Sequence, residues 1–190
     1  MPNALDPGYF NTLYAETADP WGFATSAYED AKYAATLAAL PRPRYASAVE
    51  VGCSIGVLTA RLAARCDALL ATDVAQAALD SAAARCAGLA VTFARSTLPL
   101  TPPAGQFELI LLSEVLYYFT APDVDRVAAA ARGMAVPGAD IVLVHWLGPT
   151  PDYPLTGEDA VAAFLTAADW ATVTRQERTP QYRLDVLRAG

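Results

Sequence analysis

Residues 47–56, Ser-Ala-Val-Glu-Val-Gly-Cys-Ser-Ile-Gly, constrain what this chain can fold into more than any other stretch. A short apolar run ends at Val51, turns through Gly52, Cys53 and Ser54, and opens at Gly56 into an alanine- and leucine-rich segment with helical composition. The pattern predicts a strand, a glycine turn and a helix start. Glycine tolerates a positive φ and close approach of a ligand to the backbone, and a helix start offers unpaired N–H groups and a partial positive charge. Such a place suits a small polar molecule.

Three motifs compete for this loop. The dinucleotide fingerprint GxGxxG fails, because after Gly52 its second and third glycines fall on Ser54 and Val57. The hydrolase elbow GxSxG is met by Gly52, Ser54 and Gly56, which would make Ser54 a nucleophile. The stretch also resembles ExGxGxG, the first motif of class I S-adenosylmethionine-dependent methyltransferases, as Glu50, Gly52, Ser54 and Gly56, with serine in place of the middle glycine. Context favours this third reading. The next apolar run, 68–72, ends in Asp73, twenty-one residues past Gly52, where a second parallel strand would present a carboxylate to ribose hydroxyls. An elbow would need an earlier strand and an oxyanion loop, and neither a clear strand nor an HGGG-like run precedes Ser47.

A chain of 190 residues is expected to form one domain over 1–190, with 1–28 as a lid and 29–190 as the α/β core. The formal net charge is −7 and the arginines are scattered, which argues against nucleic acid or an anionic membrane as partner. No run approaches the roughly 20 apolar residues of a membrane helix, and the first ten residues lack a basic-then-apolar signal, so a cytoplasmic protein is expected, monomeric or homodimeric. Cys53, Cys66 and Cys86 form no CxxC pair and there is one histidine, so no metal site is expected. Cys66 and Cys86 read as buried small apolar residues, whereas Cys53 sits in the ligand loop.

The first 28 residues carry Tyr9, Phe10, Tyr14, Asp19-Pro20-Trp21-Gly22-Phe23 and Tyr28, rings that either pack on the core or cover the crevice beyond the strand ends. A helix is predicted over 28–40, stopped by Pro41, with Lys32 on a solvated face or else reaching the cofactor carboxylate. After Asp73 and Val74 come a helix over 75–87, a strand over 89–94, and then Ser96, Thr97 and Leu98 at the strand end. The run FELILLSEV reads as a strand buried on both faces, delivering Ser113 and Glu114 ahead of Tyr117 and Tyr118. A helix over 121–134 ending at Pro137-Gly138 leads to a strand over 140–146 that carries His145 and Trp146. The proline-containing loop 148–157 is expected to wall a pocket with Tyr153, followed by a helix over 158–169 and a hairpin from 171–178 and 181–187.

DPWGF, VEVGCSIG, Asp73, FELILLSEVLYYF and the late HW together resemble the nodulation protein S type of S-adenosylmethionine-dependent methyltransferase over nearly the whole chain. That resemblance implies a doubly wound, mostly parallel seven-stranded sheet in three α/β/α layers. It assigns Glu50, Gly52, Cys53, Ser54 and Gly56 to the methionine part of S-adenosylmethionine, Asp73 and Val74 to the ribose, and Ser96, Thr97 and Leu98 to the adenine edge, with Thr97, or else Ser96, where many relatives carry Asp. Ser113 and Glu114 would stand beside the sulfonium and Trp21 would cover the cofactor. The name-giving member methylates an amino nitrogen of a deacetylated chitin oligosaccharide, an acceptor not carried over here.

Methyl transfer from a sulfonium needs chiefly positioning, and S-adenosylhomocysteine is the product. A small amine, for instance an amino sugar, is the expected acceptor, with His145 as proton acceptor, Glu114 steering a cation and Tyr118 at the pocket wall. A binding module that holds the cofactor without transferring its methyl group is the alternative from a different class.

Overall fold

The computed structural model describes residues 4–190. In chain order the elements are helices α1 (Pro7–Glu16) and α2 (Ala27–Ala39), strand β1 (Tyr45–Val51), helix α3 (Val57–Leu62), strand β2 (Cys66–Asp73), helix α4 (Gln76–Arg85), strands β3 (Val91–Arg95) and β4 (Phe107–Ser113), helix α5 (Ala121–Met134), strand β5 (Ala135–Trp146), helix α6 (Gly157–Ala167) and strands β6 (Ala171–Arg178) and β7 (Tyr182–Ala189). The seven strands form one sheet in the order β3-β2-β1-β4-β5-β7-β6. The first five are parallel, and β7 runs antiparallel to both β5 and β6. This is the doubly wound, mostly parallel sheet expected, and the strand order reverses at β1, beside β4, where such folds open a crevice.

Side chains alternate across the sheet, yet both faces are apolar. Ile110 and Leu112 of β4 join Val124, Val127 and Phe164 of α5 and α6 on one side. Leu109 and Leu111 join Tyr33, Leu58 and Leu62 of α2 and α3 on the other. All four β4 residues are 0 % exposed, as a central strand covered by two helical layers requires. Helix α4 lies on the α2 side over β2, through Leu79 and Ala82 against Ala71 and Cys53.

Four boundaries differ from expectation. Helix α3 is short: a 3₁₀ turn, Ala63–Arg65, follows it and β2 begins at Cys66. Arg65 explains the early stop, donating to the carbonyls of Leu37, Arg42 and Pro43 and so tying the turn to the segment before β1. Pro137 and Gly138 do not form a loop. They lie within β5, where pairing jumps from Phe107↔Ala135 to Leu109↔Asp140, an irregularity that absorbs a proline and a glycine at φ +74°. The 1–28 segment contains a regular helix, α1, capped by Asp6, and α2 already starts at Ala27. Residues 1–3 of that segment lie outside the described residues. Lys32 is not solvated: it is 2 % exposed.

Candidate active site

The loop after β1 is shaped by two carbonyl and carboxylate anchors on β2. The N–H groups of Gly52 and Cys53 both donate to the Thr72 carbonyl, at 2.8 and 2.9 Å. That of Ser54 donates to Asp73 Oδ2 at 2.9 Å, and Ala75 N–H donates to Asp73 Oδ1 at 3.0 Å. Gly52 has φ +75°, and a Cβ there would meet Val115 Cγ1 at 2.3 Å, so glycine is needed for the loop to pass the start of the turn after β4. Ser54 also adopts a left-handed φ of 49°, uncommon for a residue with a side chain, and its Oγ accepts a 2.5 Å hydrogen bond from Tyr14 of α1.

These residues wall a cleft of about 1060 Å³, open to solvent, at the carboxyl ends of β1 to β4. Of the residues assigned by resemblance, Glu50, Gly52, Cys53, Ser54, Asp73, Val74, Ser96, Thr97, Leu98, Ser113 and Glu114 all line it, as do Trp21 and Tyr118. Helix α1 and the turn behind it form the opposite wall through Pro7, Phe10, Tyr14, Trp21 and Phe23. Gly56 does not line the cleft. It sits at φ +79° as the N-cap of α3, and a Cβ would lie 2.9 Å from the Cα of Ala82, so its smallness serves the packing of α3 on α4.

Glu50 lies under the loop, 2 % exposed, with Oε2 buried and the equally buried Thr59 hydroxyl as its neighbouring donor. Burial pushes its carboxyl up to about 7. Asp73, 9 % exposed, is likewise pushed up by burial, against which its backbone N–H bonds work. Each Asp73 oxygen accepts one backbone N–H, leaving lone pairs for a ligand. Ser96 Oγ donates to the Thr101 carbonyl and Thr97 N–H to Thr101 Oγ1, which closes the turn after β3 along the cleft.

Glu114 is held differently. Its φ is +58° and its side chain is nearly buried. Oε1 accepts from Lys32 Nζ at 2.5 Å, and Oε2 accepts from Tyr117 Oη at 2.7 Å and from Trp146 N–H at 3.0 Å. Burial would raise this carboxyl, but the Lys32 charge and these hydrogen bonds outweigh it and hold it below the usual carboxylate range. Lys32 also pairs with Glu29 Oε1 at 2.8 Å. It therefore stays behind Glu114 and does not line the cleft, so the expectation that it faces solvent or reaches a cofactor carboxylate is corrected.

The assignment of His145 is corrected too. It is 0 % exposed and absent from the cleft wall. Its Nε2 accepts the N–H groups of Leu116 at 3.0 Å and Val115 at 3.4 Å, and burial holds its pKa down at about 4. A nitrogen already committed to two backbone donors is not a free base. Of Tyr118 and Tyr153, both expected at a pocket wall, Tyr118 reaches the cleft; Tyr153 packs behind it with Tyr117 and Trp146, stacked on Tyr117 at 5.4 Å. The elbow reading also falls, because Ser54 Oγ is bonded to Tyr14 and the single histidine is buried at the end of β5. Among the described residues no cluster of His, Cys, Asp and Glu suits a metal, and no helix is long and apolar enough to cross a membrane.

Tyr33, Leu58 and Phe119 line the cleft although their sequence context pointed only to helix and turn interiors. Helical periodicity marks an apolar face, and that signal is the same whether the face meets the core or a ligand.

Residues 12–140 match the family model described as Nodulation protein S (NodS). Nodulation protein S of Bradyrhizobium diazoefficiens is 36 % identical over 118 residues, 61 % of this chain and 56 % of that protein. That of Rhizobium tropici is 30 % identical over 159 residues, 78 % of this chain and 64 % of that protein. The chain thus spans 56 % to 64 % of the length of these curated relatives. The crystal structure of a putative methyltransferase from Pseudomonas syringae is similar at a TM-score of 0.75 with 34 % identity, covering 86 % of this chain and 99 % of that one. N-methyltransferase NodS from Bradyrhizobium japonicum WM9 in complex with S-adenosyl-L-homocysteine shares the fold at a TM-score of 0.81, with 21 % identity over 94 % of this chain and 98 % of that one. The family match extends over more than half of the chain, and the chain belongs to the nodulation protein S family.

Proposed function

We propose that this protein is an S-adenosylmethionine-dependent methyltransferase that methylates the nitrogen of a small amine, working in the cytoplasm as a monomer or homodimer. The observation that carries the reading is the gathering, in one cleft, of Asp73, the Glu50–Ser54 loop, the Ser96–Leu98 turn and Ser113–Glu114 at successive strand ends. The residues present fit the cofactor. Asp73 has free lone pairs for the two ribose hydroxyls, and Glu50 sets a carboxyl group at the cleft wall within the loop assigned to the methionine part, where it can take the amino group. Leu98 and Val74 offer apolar surface to a purine, while Ser96, Thr97 and Cys53 line its surroundings. Trp21, stacked on Phe23 at 5.4 Å, covers the cleft from the α1 side. Two family-level facts support the same reading: membership itself, and relatives named as methyltransferases.

When bound, the cofactor supplies a methyl group on a positively charged sulfur. The protein's part is then geometry and charge. Asp73 and the glycine loop fix the donor, worth as much as roughly 7–11 kcal/mol in the best intramolecular cases of pre-paid alignment. Glu114, kept ionised by Lys32, places a fixed negative charge at the cleft wall. It is a poor base, since the Lys32 charge and the hydrogen bonds that it accepts lower its affinity for a proton. The amine attacks in its neutral form and its proton leaves to water. Titration calorimetry with S-adenosylhomocysteine, followed by transfer of labelled methyl from S-adenosylmethionine to a panel of amines, tests the proposal. Binding with transfer supports it, binding without transfer to any amine, phenol or thiol favours the non-catalytic module, and no binding ends both.

A further inference from the structure

The cleft has two chemically different halves, and the second one defines the acceptor. At the strand ends the polar side chains belong to β1–β4 and their loops. Opposite them, Leu5, Pro7 and Phe10 of the N-terminal segment meet Tyr118 and Phe119 of the turn after β4. These two pieces form one corner: Leu5 N–H donates to the Tyr118 carbonyl at 3.0 Å, and the Phe10 and Tyr118 rings meet edge to face at 4.9 Å.

Counting polar groups shows how little is left for a hydroxylated ligand. Ser54 Oγ accepts from Tyr14, Ser96 Oγ donates to the Thr101 carbonyl and Thr72 Oγ1 to the Glu50 carbonyl, while the hydroxyls of Thr97 and Ser113 stay with the strand-end half of the cleft. Of the Glu114 oxygens, Oε2 accepts two hydrogen bonds and Oε1 one, from Lys32. The groups with capacity left, Asp73, Glu50, Glu114 Oε1 and the Thr97 and Ser113 hydroxyls, all belong to the strand-end half, which on the proposed function the donor molecule occupies, and Leu5, Pro7, Phe10 and Phe119 offer none. A sugar entering the remaining corner would bury several hydroxyls without partners, each a desolvation loss. The charges point the same way. Among the described residues, the ionisable wall residues are the carboxylic acids Glu50, Asp73 and Glu114, tyrosines and Cys53, and no Lys, Arg or His lines the cleft. An anionic acceptor would find repulsion and no counter-charge.

Resting on the methyltransferase reading, we infer that the acceptor is a small apolar primary or secondary amine, an aryl-alkyl or alkyl amine without a carboxylate or phosphate, seated against Phe10, Tyr118 and Phe119, and not an amino sugar. In the transfer the nitrogen lone pair forms the N–C bond as the C–S bond breaks with its electron pair remaining on sulfur, and the surplus proton on nitrogen passes to solvent. An apolar pocket also favours the neutral, reactive form of the amine.

The test uses the full chain saturated with S-adenosylhomocysteine, whose own binding is measured first. Phenethylamine, glucosamine and phenylalanine are then titrated with protein-observed NMR, and initial rates are measured with labelled S-adenosylmethionine. Phenethylamine is expected to bind and to be methylated at least about 10-fold more efficiently than glucosamine or than phenylalanine, which adds only a carboxylate to the same amine. Phe10→Ser should raise the KM for phenethylamine several-fold with S-adenosylhomocysteine affinity unchanged. Preference for glucosamine, equal use of phenylalanine, or no binding of phenethylamine or of a set of alkylamines to the loaded protein overturns the inference while leaving the methyltransferase reading intact. Failure to bind S-adenosylhomocysteine instead removes the reading on which it rests.

Discussion

Two residues beside the cleft occupy the left-handed region without being glycine, Ser54 at φ 49° and Glu114 at φ 58°. Each is compensated by its own hydrogen bonds: Ser54 through its N–H to Asp73 and its Oγ from Tyr14, Glu114 through Lys32, Tyr117 and the Trp146 amide. Sparsely populated backbone held in place this way costs of order 1–3 kcal/mol per residue and marks positions where side-chain placement matters. His145 supports the same turn from behind. Its imidazole accepts two backbone N–H groups that would otherwise be buried without an acceptor. His145→Ala should therefore destabilise the protein by about 2–4 kcal/mol, combining lost packing with two unsatisfied donors. Its rate per folded molecule should change less than about 10-fold, short of what loss of a general base produces. Denaturant titration beside turnover of the same preparation measures both. A stable variant with a 100-fold slower rate would restore His145 as a base.

At the scale of elements, helix stops and strand composition were readable from short patterns, such as Pro41 and the run FELILLSEV. Thr156 caps α6 by accepting from Asp159 N–H at 3.1 Å, its hydroxyl donating to Asp159 Oδ2 at 2.7 Å, and Thr120 and Asp123 repeat the arrangement on α5. The glycine loop was legible for the same reason: its chemistry lies within ten consecutive residues. What the sequence concealed was long-range. Nothing near Lys32 in sequence announces Glu114, eighty-two positions later, and without that partner a lysine in an amphipathic helix reads as solvated. His145 looked exposed to ligand because it ends a strand, whereas the turn 115–118 folds back over it. Gly56 read as a ligand residue but spaces two helices. Gly56→Ala should lower stability by about 2–4 kcal/mol, from a left-handed φ and overlap with the Ala82 backbone that α4 cannot relieve without moving. S-adenosylhomocysteine affinity of the folded fraction should stay within about 3-fold, since no wall atom is changed. Thermal melts and calorimetry on the variant check this, and an unaltered melting temperature would contradict it.

The whole molecule carries two buried titratable groups whose pH dependences differ in sign. His145 titrates at about 4 folded against 6.5 in the open chain, so the unfolded state binds more protons between these values and stability is lost as pH falls through that window. Glu50 runs the other way, with a folded value of about 7 against 4.5, so it disfavours the folded state increasingly as pH rises from 4.5 to 7. Each effect is at most about 3 kcal/mol. In the ligand-free protein, Glu50→Gln should gain melting temperature relative to the parent between pH 5 and pH 8, by several degrees at about 2–4 °C per kcal/mol for a domain of this size. A gap independent of pH would mean that Glu50 titrates normally.

The central claim is that the cleft between α1 and the strand ends holds S-adenosylmethionine with Asp73 at its ribose. Calorimetric titration of S-adenosylhomocysteine into the parent and into Asp73→Ala tests this most directly. The account predicts a single site in the parent and a loss of about 1.5–3 kcal/mol in the variant, the worth of two hydrogen bonds to a charged acceptor. No binding by the parent, or equal affinity in both proteins, would contradict it.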